Sequence, residues 1–195
     1  MPAFLTLFLS FCLALKAASL DVIFPESQIE FLAIGRPSAL KIRGKIKEDS
    51  APAKPLEGKW VLKESAITGQ VSLKLSVLDT GIALRDRHMK EKYLETEKFP
   101  TAHFTLSKLS LPADFPEKLT NVKDLPFEAD LKLHGRSKLV RGVAEVGQDG
   151  SKLELTLHFK VLVTDFGIEI PSYLGIKVAD EVTVKATSKG TLKSP

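Results

Sequence analysis

The chain has 195 residues, of which 44% are hydrophobic, and a formal net charge of +4. This length predicts one domain, and the hydrophobic content is sufficient for a full core. Lysine and arginine are scattered through every segment, which favours a solvated surface and argues against a nucleic-acid partner. The mild positive charge is compatible with transient contact with an anionic membrane surface or with a diphosphate head group.

An almost wholly apolar segment, Pro2 to Leu15, is followed by small residues. It is too short to span a bilayer, so we interpret residues 1–19 as a secretory signal peptide and residues 20–195 as the mature domain. The protein is then periplasmic or secreted; an uncleaved anchor is the alternative. The single cysteine, Cys12, would leave with the signal peptide, so we expect no disulfide, thiol chemistry or thiolate-bound metal in the mature domain.

Short apolar runs begin the mature domain. The run from Ile29 to Ile34 predicts a first strand, and alternating apolar residues around Gly44 predict a second. Residues 48–55 have the composition of a loop. A further strand is predicted to begin at Trp60 and to be separated from the next strand by Gly69.

The following stretch predicts a strand, a turn and a short helix. Apolar and polar side chains alternate from Val71 to Val77, with the two-residue period of a half-buried strand. Asp79-Thr80-Gly81 has turn chemistry, because glycine accepts the positive φ of a sharp reversal. Residues 85–95 lose the alternation and predict a surface helix with one apolar edge. This helix must end before Pro100, which lacks an N–H and restricts the residue before it.

Alternation resumes after the helix, with Ala102, Phe104 and Leu106 predicted on the inner face and His103 and Thr105 on the outer face. Proline then predicts a loop with little regular structure. The prolines of that loop are Pro112, Pro116 and Pro126.

Two hairpins are predicted in the second half of the chain. A strand from Phe127 to Leu133 leads into a turn at Gly135-Arg136-Ser137, and Gln148-Asp149-Gly150 is the second hairpin signal. The longest alternation runs from Leu153 to Val163, and a last strand contains Val182 to Ala186. Seven or eight strands with one helix predict an all-β sandwich or barrel, and periodicity alone does not choose between them.

The chain closely resembles the YceI-like family in the blocks LSVLDTG, RDRHM, EKFPTAHFTLSKL, FEADLKLHGRSKLV and VTDFGI. These blocks occur in the family order, and the match covers roughly Ile29 to Lys189. The resemblance implies a single antiparallel eight-stranded lipocalin-like barrel, with one short helix after the D-T-G turn. It also implies that the barrel interior binds a long isoprenoid lipid.

The first strand pair departs from the family pattern. Relatives commonly have histidines and small polar residues there, whereas this chain has Gln28-Ile29-Glu30-Phe31-Leu32 and Ser38-Ala39-Leu40. A head-group role of those positions in relatives therefore does not transfer to this chain.

Catalytic motifs are missing from the sequence: there is no G-x-S-x-G, no phosphate-binding glycine loop and no H-E-x-x-H. Asp165-Phe166-Gly167 is a strand-to-loop corner rather than a kinase motif, with Phe166 closing a barrel end. His103, His134 and His158 lie on the polar faces of three predicted strands, and a metal site would require them to meet at one level. We expect three outward imidazoles and no metal, and therefore no enzyme.

The helix block contributes a second candidate site, formed by Arg85, Asp86 and His88. One interpretation is that these residues hold the helix to the barrel through charge-assisted hydrogen bonds and close one end. The other is that they line the mouth and contact a polar head group. We favour the first, because an Arg–Asp pair so close together partly neutralises itself.

The main candidate site is the apolar interior, where inward residues either meet in a solid core or surround one ligand. About ten buried methylenes, at about 0.8 kcal/mol each, would offset the lost freedom of a bound lipid. The predicted interior residues are Val71, Leu73, Leu75, Val77, Phe104, Leu106, Phe127, Leu131, Leu155, Leu157, Phe159, Val161, Val182 and Val184.

We therefore expect an exported, non-enzymatic carrier or reservoir for an amphipathic isoprenoid-type lipid or quinone, with no other cofactor. A structural or interaction protein of the cell envelope with a filled barrel is the first alternative. A metal-assisted enzyme that uses His103, His134 or His158 is the second.

Overall fold

The computed structural model describes residues 18–21, 27–36, 41–47, 56–63, 65–112, 121–173 and 176–193. Residues 1–17 of the predicted signal peptide lie outside the described residues, and so do the predicted loop at 48–55 and Pro116. Within these described ranges, no helix is long and apolar enough to cross a membrane.

The fold is all-β, as predicted, and almost every regular element is a strand. The strands are β1 (Ala18–Asp21), β2 (Gln28–Arg36), β3 (Lys41–Ile46), β4 (Leu56–Lys63), β5 (Ala66–Lys74), β6 (Leu78–Asp79), β7 (Thr101–Ser110), β8 (Val122–Leu133), β9 (Arg136–Asp149), β10 (Lys152–Leu162), β11 (Ser172–Tyr173) and β12 (Ile176–Lys193). The described residues thus contain 12 strands, two of them only two residues long, and the predicted number of eight is wrong.

One short helix, α1 (Ala83–His88), continues as a π-helical turn over Met89–Tyr93. It follows the D-T-G turn and ends before Pro100, as predicted, although it begins two residues earlier than Arg85. Gly81 has a φ of +81°, and its N–H donates to Asp79 Oδ1 at 2.5 Å, so the turn has the predicted chemistry.

All strands belong to one curled antiparallel sheet with a barrel-like wall. Its order is β1-β4-β5-β7-β8-β9-β10-β12-β2-β3-β6, and β11 pairs with β12. Strand β12 has 18 residues, so it pairs with β10 on one side and with both β2 and β1 on the other. Strand β1 also pairs with β4 and therefore joins two sides of the curled sheet. Its first two residues, Ala18 and Ser19, belong to the predicted signal peptide, and Leu20 and Asp21 belong to the predicted mature domain.

The β8–β9 hairpin turns one residue earlier than predicted. His134 and Gly135 have φ values of +49° and +74°, which are typical of a type I′ turn. Arg136 already pairs with Leu133 across the hairpin. The β9–β10 hairpin lies where Gln148-Asp149-Gly150 predicts it, with Asp149 paired to Lys152.

Two predicted breaks lie inside strands. Gly69 is an interior residue of β5 and opposes Trp60 of β4. A Cβ at Gly69 would lie 2.5 Å from the Trp60 ring, so the close approach of the two strands requires glycine there. Pro126, predicted in a loop, belongs to β8 and opposes Val143 of β9.

The strand predicted from Val71 to Val77 ends at Lys74, and residues 75–77 form a 3-10 turn. Leu75 and Val77 are nevertheless buried, because the turn keeps both side chains directed at the core. A second 3-10 turn, Val163–Phe166, follows β10, and Phe166 is buried as predicted.

The interior differs between its two ends. We call the end near the β9–β10 turn the closed end, since apolar residues there have no exposed surface and belong to one continuous core. These fully buried residues are Ile67, Leu109, Ala144, Val146 and Leu155. The opposite end, beside α1 and the β8–β9 turn, is the open end.

Candidate functional site

An apolar cavity of about 600 Å³ occupies the interior toward the open end. Strands from both sides of the curled sheet form its wall, and α1 with the π-helical turn borders its mouth. Pockets of about 300 to 1,000 Å³ hold small organic ligands in other proteins, so this volume is sufficient for a binding site.

Most of the predicted interior residues border this cavity. They are Val71, Leu73, Leu75, Phe104, Leu131, Leu157, Phe159, Val161, Val182 and Val184. Four predicted residues do not border it and are buried in the core instead: Val77, Leu106, Phe127 and Leu155. All of these residues are buried or border the cavity, and their position in the curled sheet decides whether a residue meets the cavity or other side chains.

Aromatic rings form the floor of the cavity. Phe104 and Phe159 border the cavity, with ring centroids 5.4 Å apart, and Phe127 packs behind them at 6.1 Å and 6.2 Å. Edge and tilted contacts of this kind stabilise a cluster beyond the burial of apolar area. The floor is therefore a packed aromatic layer where Phe104 and Phe159 border the cavity.

Trp60 extends this floor from β4. It borders the cavity, is only 2% exposed, and packs its ring against Gly69. Its indole Nε1 is buried without a hydrogen-bond acceptor among the described residues. Trp60 is therefore the largest buried side chain in the cavity lining.

Sequence reasoning missed the contribution of the first strands. Ile29, Phe31 and Ala33 of β2 border the cavity, and so does Ile42 of β3. The alternation of Ile29, Phe31 and Ala33 in the sequence is the signal that indicates their inward orientation. Further lining residues were also missed; they are Leu56, Trp60, Leu78, Thr80, Ile82, Leu84, Met89, Tyr93, Leu94, Ala102, His103, Leu133, Val163, Ile168, Pro171, Ser172, Val178, Ala179, Ala186 and Ser188.

Arg85 and Asp86 fix the start of α1 to the D-T-G turn. Asp86 Oδ1 accepts hydrogen bonds from the Thr80 N–H at 2.8 Å and from Thr80 Oγ1 at 2.5 Å. Arg85 donates from Nε to Thr80 Oγ1 at 2.8 Å and from Nη2 to the Thr80 carbonyl at 2.7 Å. These hydrogen bonds hold the helix to the D-T-G turn through Thr80. Arg85 also borders the cavity.

His88 is placed differently from that pair. It is exposed at the end of α1 and borders the cavity mouth. Polar side chains are few in the lining, and those at the mouth are the ones that could meet the polar end of a ligand. The lining residues with polar side chains, apart from Trp60, are Thr80, Arg85, His88, Tyr93, His103, Ser172 and Ser188.

His134 belongs to a contact at the open end that involves the segment after the π-helical turn. Its Nε2 lies 2.6 Å from Glu95 Oε2, its Nδ1 lies 3.1 Å from the Phe166 carbonyl oxygen, and its ring centroid lies 4.4 Å from that of Phe99. We call Glu95, Phe99, His134 and Phe166 the latch. It joins the segment after α1 to the β8–β9 turn and to the turn after β10.

The three histidines that were predicted on strands do not meet. His103 Nδ1 lies 2.9 Å from Ser72 Oγ, and His158 Nε2 lies 3.6 Å from Glu145 Oε1. The predicted outward orientation is wrong for His134, whose side chain is only 12% exposed, and His103 borders the cavity. In the part of the chain that the structure describes, no three His, Cys, Asp or Glu residues could hold a metal together.

Comparison with known proteins identifies the family. A family model described as the YceI-like domain matches residues 25–189, which is most of the chain. No protein with a curated description matches the chain.

Solved structures share this fold at low sequence identity. A polyisoprenoid binding domain from Saccharophagus degradans, implicated in plant cell wall breakdown, has a TM-score of 0.64 and 16% identity over 93% of this chain and 99% of that one. BcnA from Burkholderia cenocepacia has a TM-score of 0.64 and 17% identity over 88% and 100%. The YCEI protein of Campylobacter jejuni has a TM-score of 0.61 and 17% identity over 78% and 86%.

Proposed function

The chain belongs to the YceI-like domain family, and on that premise we propose that it binds an amphipathic isoprenoid-type lipid inside its barrel. The protein acts as a non-enzymatic carrier or reservoir that is exported from the cytoplasm. The apolar cavity of about 600 Å³ is the observation that carries this proposal. The similarity to a polyisoprenoid binding domain adds support from a relative of the same fold.

An apolar chain gains most of its binding free energy from leaving water. Each buried CH₂ contributes about 0.8 kcal/mol, so roughly ten methylenes contribute about 8 kcal/mol against the loss of ligand freedom. The cavity wall consists mainly of Leu, Val, Ile and Phe side chains and therefore places no requirement on polar groups along the ligand. This composition suits a long hydrocarbon chain better than a compact polar metabolite.

The mouth supplies the polar part of the site. Arg85 and His88 border the cavity where α1 begins and ends, and both side chains carry N–H donors. A lipid that enters with its hydrocarbon end toward Trp60 would leave its polar end beside these donors. Oxygen acceptors such as those of a phosphate or a quinone fit this position.

Mass spectrometry of organic extracts from the purified mature protein tests the proposal. We expect a stoichiometric polyprenyl lipid, either after purification or after incubation with polyprenyl quinones and polyprenyl phosphates. Repeated absence of any such lipid after both treatments would refute lipid binding.

Two matched variants sharpen this test. Ala102→Phe adds a large ring to the cavity wall, since Ala102 borders the cavity from β7. Thr105→Phe adds the same ring to the same strand at a residue that does not border the cavity. We expect the Ala102→Phe protein to lose most of its bound lipid and the Thr105→Phe protein to retain it. Equal retention by both variants would place the ligand elsewhere.

The export part of the proposal rests on the apolar segment Pro2–Leu15. Intact-mass measurement of the protein from a periplasmic fraction tests it, with Leu20 as the expected first residue. A full-length mass in the cytoplasmic fraction would contradict export without affecting lipid binding.

The filled-barrel alternative loses its support, because a cavity of about 600 Å³ lies in the interior. The metal-assisted alternative gains no support from the histidines, because each of them has a different partner. The pairs are His103 with Ser72, His134 with Glu95, and His158 with Glu145. Metal analysis after mild purification remains the direct test of that alternative.

A further inference from the structure

Two large apolar side chains are exposed at the cavity mouth. Ile82 and Leu84 are 53% and 51% exposed, although both also border the cavity. One side of each residue therefore faces the site and the other faces solvent. A continuous apolar surface therefore leads from the cavity to the outside of the protein. A lipid that follows such a surface leaves the cavity without exposing its hydrocarbon chain to water, which is unfavourable.

The segment that carries these two side chains has an excess of cations. The segment Ile82–Tyr93, which we call the mouth helix, contains Arg85, Arg87, Lys90 and Lys92 against only Asp86 and Glu91. Asp86 and Arg85 are both engaged by Thr80 inside the fold, and Arg87, Lys90 and Lys92 still outnumber Glu91. A short amphipathic segment with exposed aliphatic residues and an excess of cations is typical of helices that lie on anionic membrane surfaces.

We propose that the mouth helix docks on the surface of an anionic bilayer, with Ile82 and Leu84 inserted among the acyl chains and the cations among the head groups. In this orientation the cavity opens directly into the bilayer, so lipid exchanges between membrane and cavity along an apolar path. The inference rests on the proposed function, since it assigns the route by which that lipid enters and leaves.

A membrane fits this surface better than a protein partner does. The exposed apolar area is small and comes mainly from two side chains, whereas stable protein interfaces bury about 800 Å² on each partner. Two inserted aliphatic side chains with several cations suffice for reversible membrane contact, because each cation near an anionic surface contributes about 1 kcal/mol.

Other exposed aliphatic residues provide matched controls. Leu139 of β9 is 51% exposed, the same fraction as Leu84, and Leu162 of β10 is 43% exposed. Neither borders the cavity. A double variant at Leu139 and Leu162 therefore removes a comparable exposed apolar surface without changing the mouth.

The test is sedimentation of the mature protein with vesicles of phosphatidylethanolamine and phosphatidylglycerol, compared with vesicles of phosphatidylcholine alone. We expect binding to the anionic vesicles that weakens as salt increases, because screening reduces the attraction of the cations. The Ile82→Ser/Leu84→Ser protein should bind about tenfold more weakly. The Leu139→Ser/Leu162→Ser protein should bind like the wild type.

Three outcomes would overturn docking: no binding of the wild type to anionic vesicles, equal losses in the two double variants, or self-association through Ile82 and Leu84 without vesicle binding. Extraction of bound lipid from the same preparations separates this inference from the proposed function. Lipid in the protein without vesicle binding refutes docking alone, whereas vesicle binding without extractable lipid refutes the carrier proposal.

Discussion

The two ends of the barrel interior use the same kind of residue to different effect. At the closed end, Leu155 and Val146 are fully buried against neighbouring side chains. At the open end, Leu73 and Val182 lie on the same inward face of the sheet and border a cavity of about 600 Å³. The comparison shows that an inward apolar side chain is only a potential core residue, and that the level along the barrel decides its role.

The two ends also differ in what closes them. The closed end consists of strands and a tight β9–β10 turn, whereas the open end is covered by a six-residue helix and the latch around His134. Short elements held by a few hydrogen bonds open at lower free energy than packed strands do. The closed end therefore provides stability, and the open end provides access.

We expect the largest effect when one leucine at each end is truncated to alanine and the losses in the free energy of unfolding are compared. Leu155→Ala should lower the free energy of unfolding by about 3 kcal/mol, because it leaves a new hole in a packed region. Leu73→Ala should lower it by about 1.5 kcal/mol, because the removed atoms already faced the cavity on one side. Urea unfolding of the delipidated proteins measures both values. Equal losses would mean that the open end is as tightly packed as the closed end.

The floor between the two ends is probed by Trp60→Leu. The smaller side chain should deepen the cavity and shift the preferred polyprenyl chain to a longer one, with about a tenfold change in relative affinity, or about 1.4 kcal/mol. Competition between polyprenyl lipids of different length, read by mass spectrometry, measures the shift. Trp60→Phe keeps an aromatic floor and serves as the control. An unchanged length preference in the leucine variant would show that Trp60 does not limit the depth.

The smallest effect is expected at the latch. Glu95→Gln replaces a charge-assisted hydrogen bond to His134 by a neutral one and should cost about 0.5 kcal/mol. Hydrogen exchange should accelerate in residues 94–99 and remain unchanged at the closed end. Glu128→Gln is the control, because its partner Arg141 has a 72% exposed side chain and the pair contributes little. Equal exchange rates in wild type and Glu95→Gln would show that the latch does not hold the open end.

Much of the fold could be predicted from local patterns. The alternation in β7, β8 and β10 identified the inward faces, and the D-T-G turn identified the start of the helix. The errors arise where contacts between residues distant in sequence decide the structure. The glycine at position 69 predicts a break, whereas its close contact with Trp60 of the neighbouring strand keeps it inside β5. The alternation predicts an outward His134, whereas Glu95, which is distant in sequence, binds its ring.

The sequence by itself determined the all-β class, the parity of the strands, the chemistry of the turns and the short helix with its apolar edge. These features follow from side-chain period and backbone preferences, which act between near neighbours along the chain. Only the tertiary structure decided which inward residues meet and which surround the cavity. That outcome depends on the curvature of the sheet and on the level at which Trp60 and the phenylalanine rings form the floor, and neither is encoded in the spacing of residues along one strand.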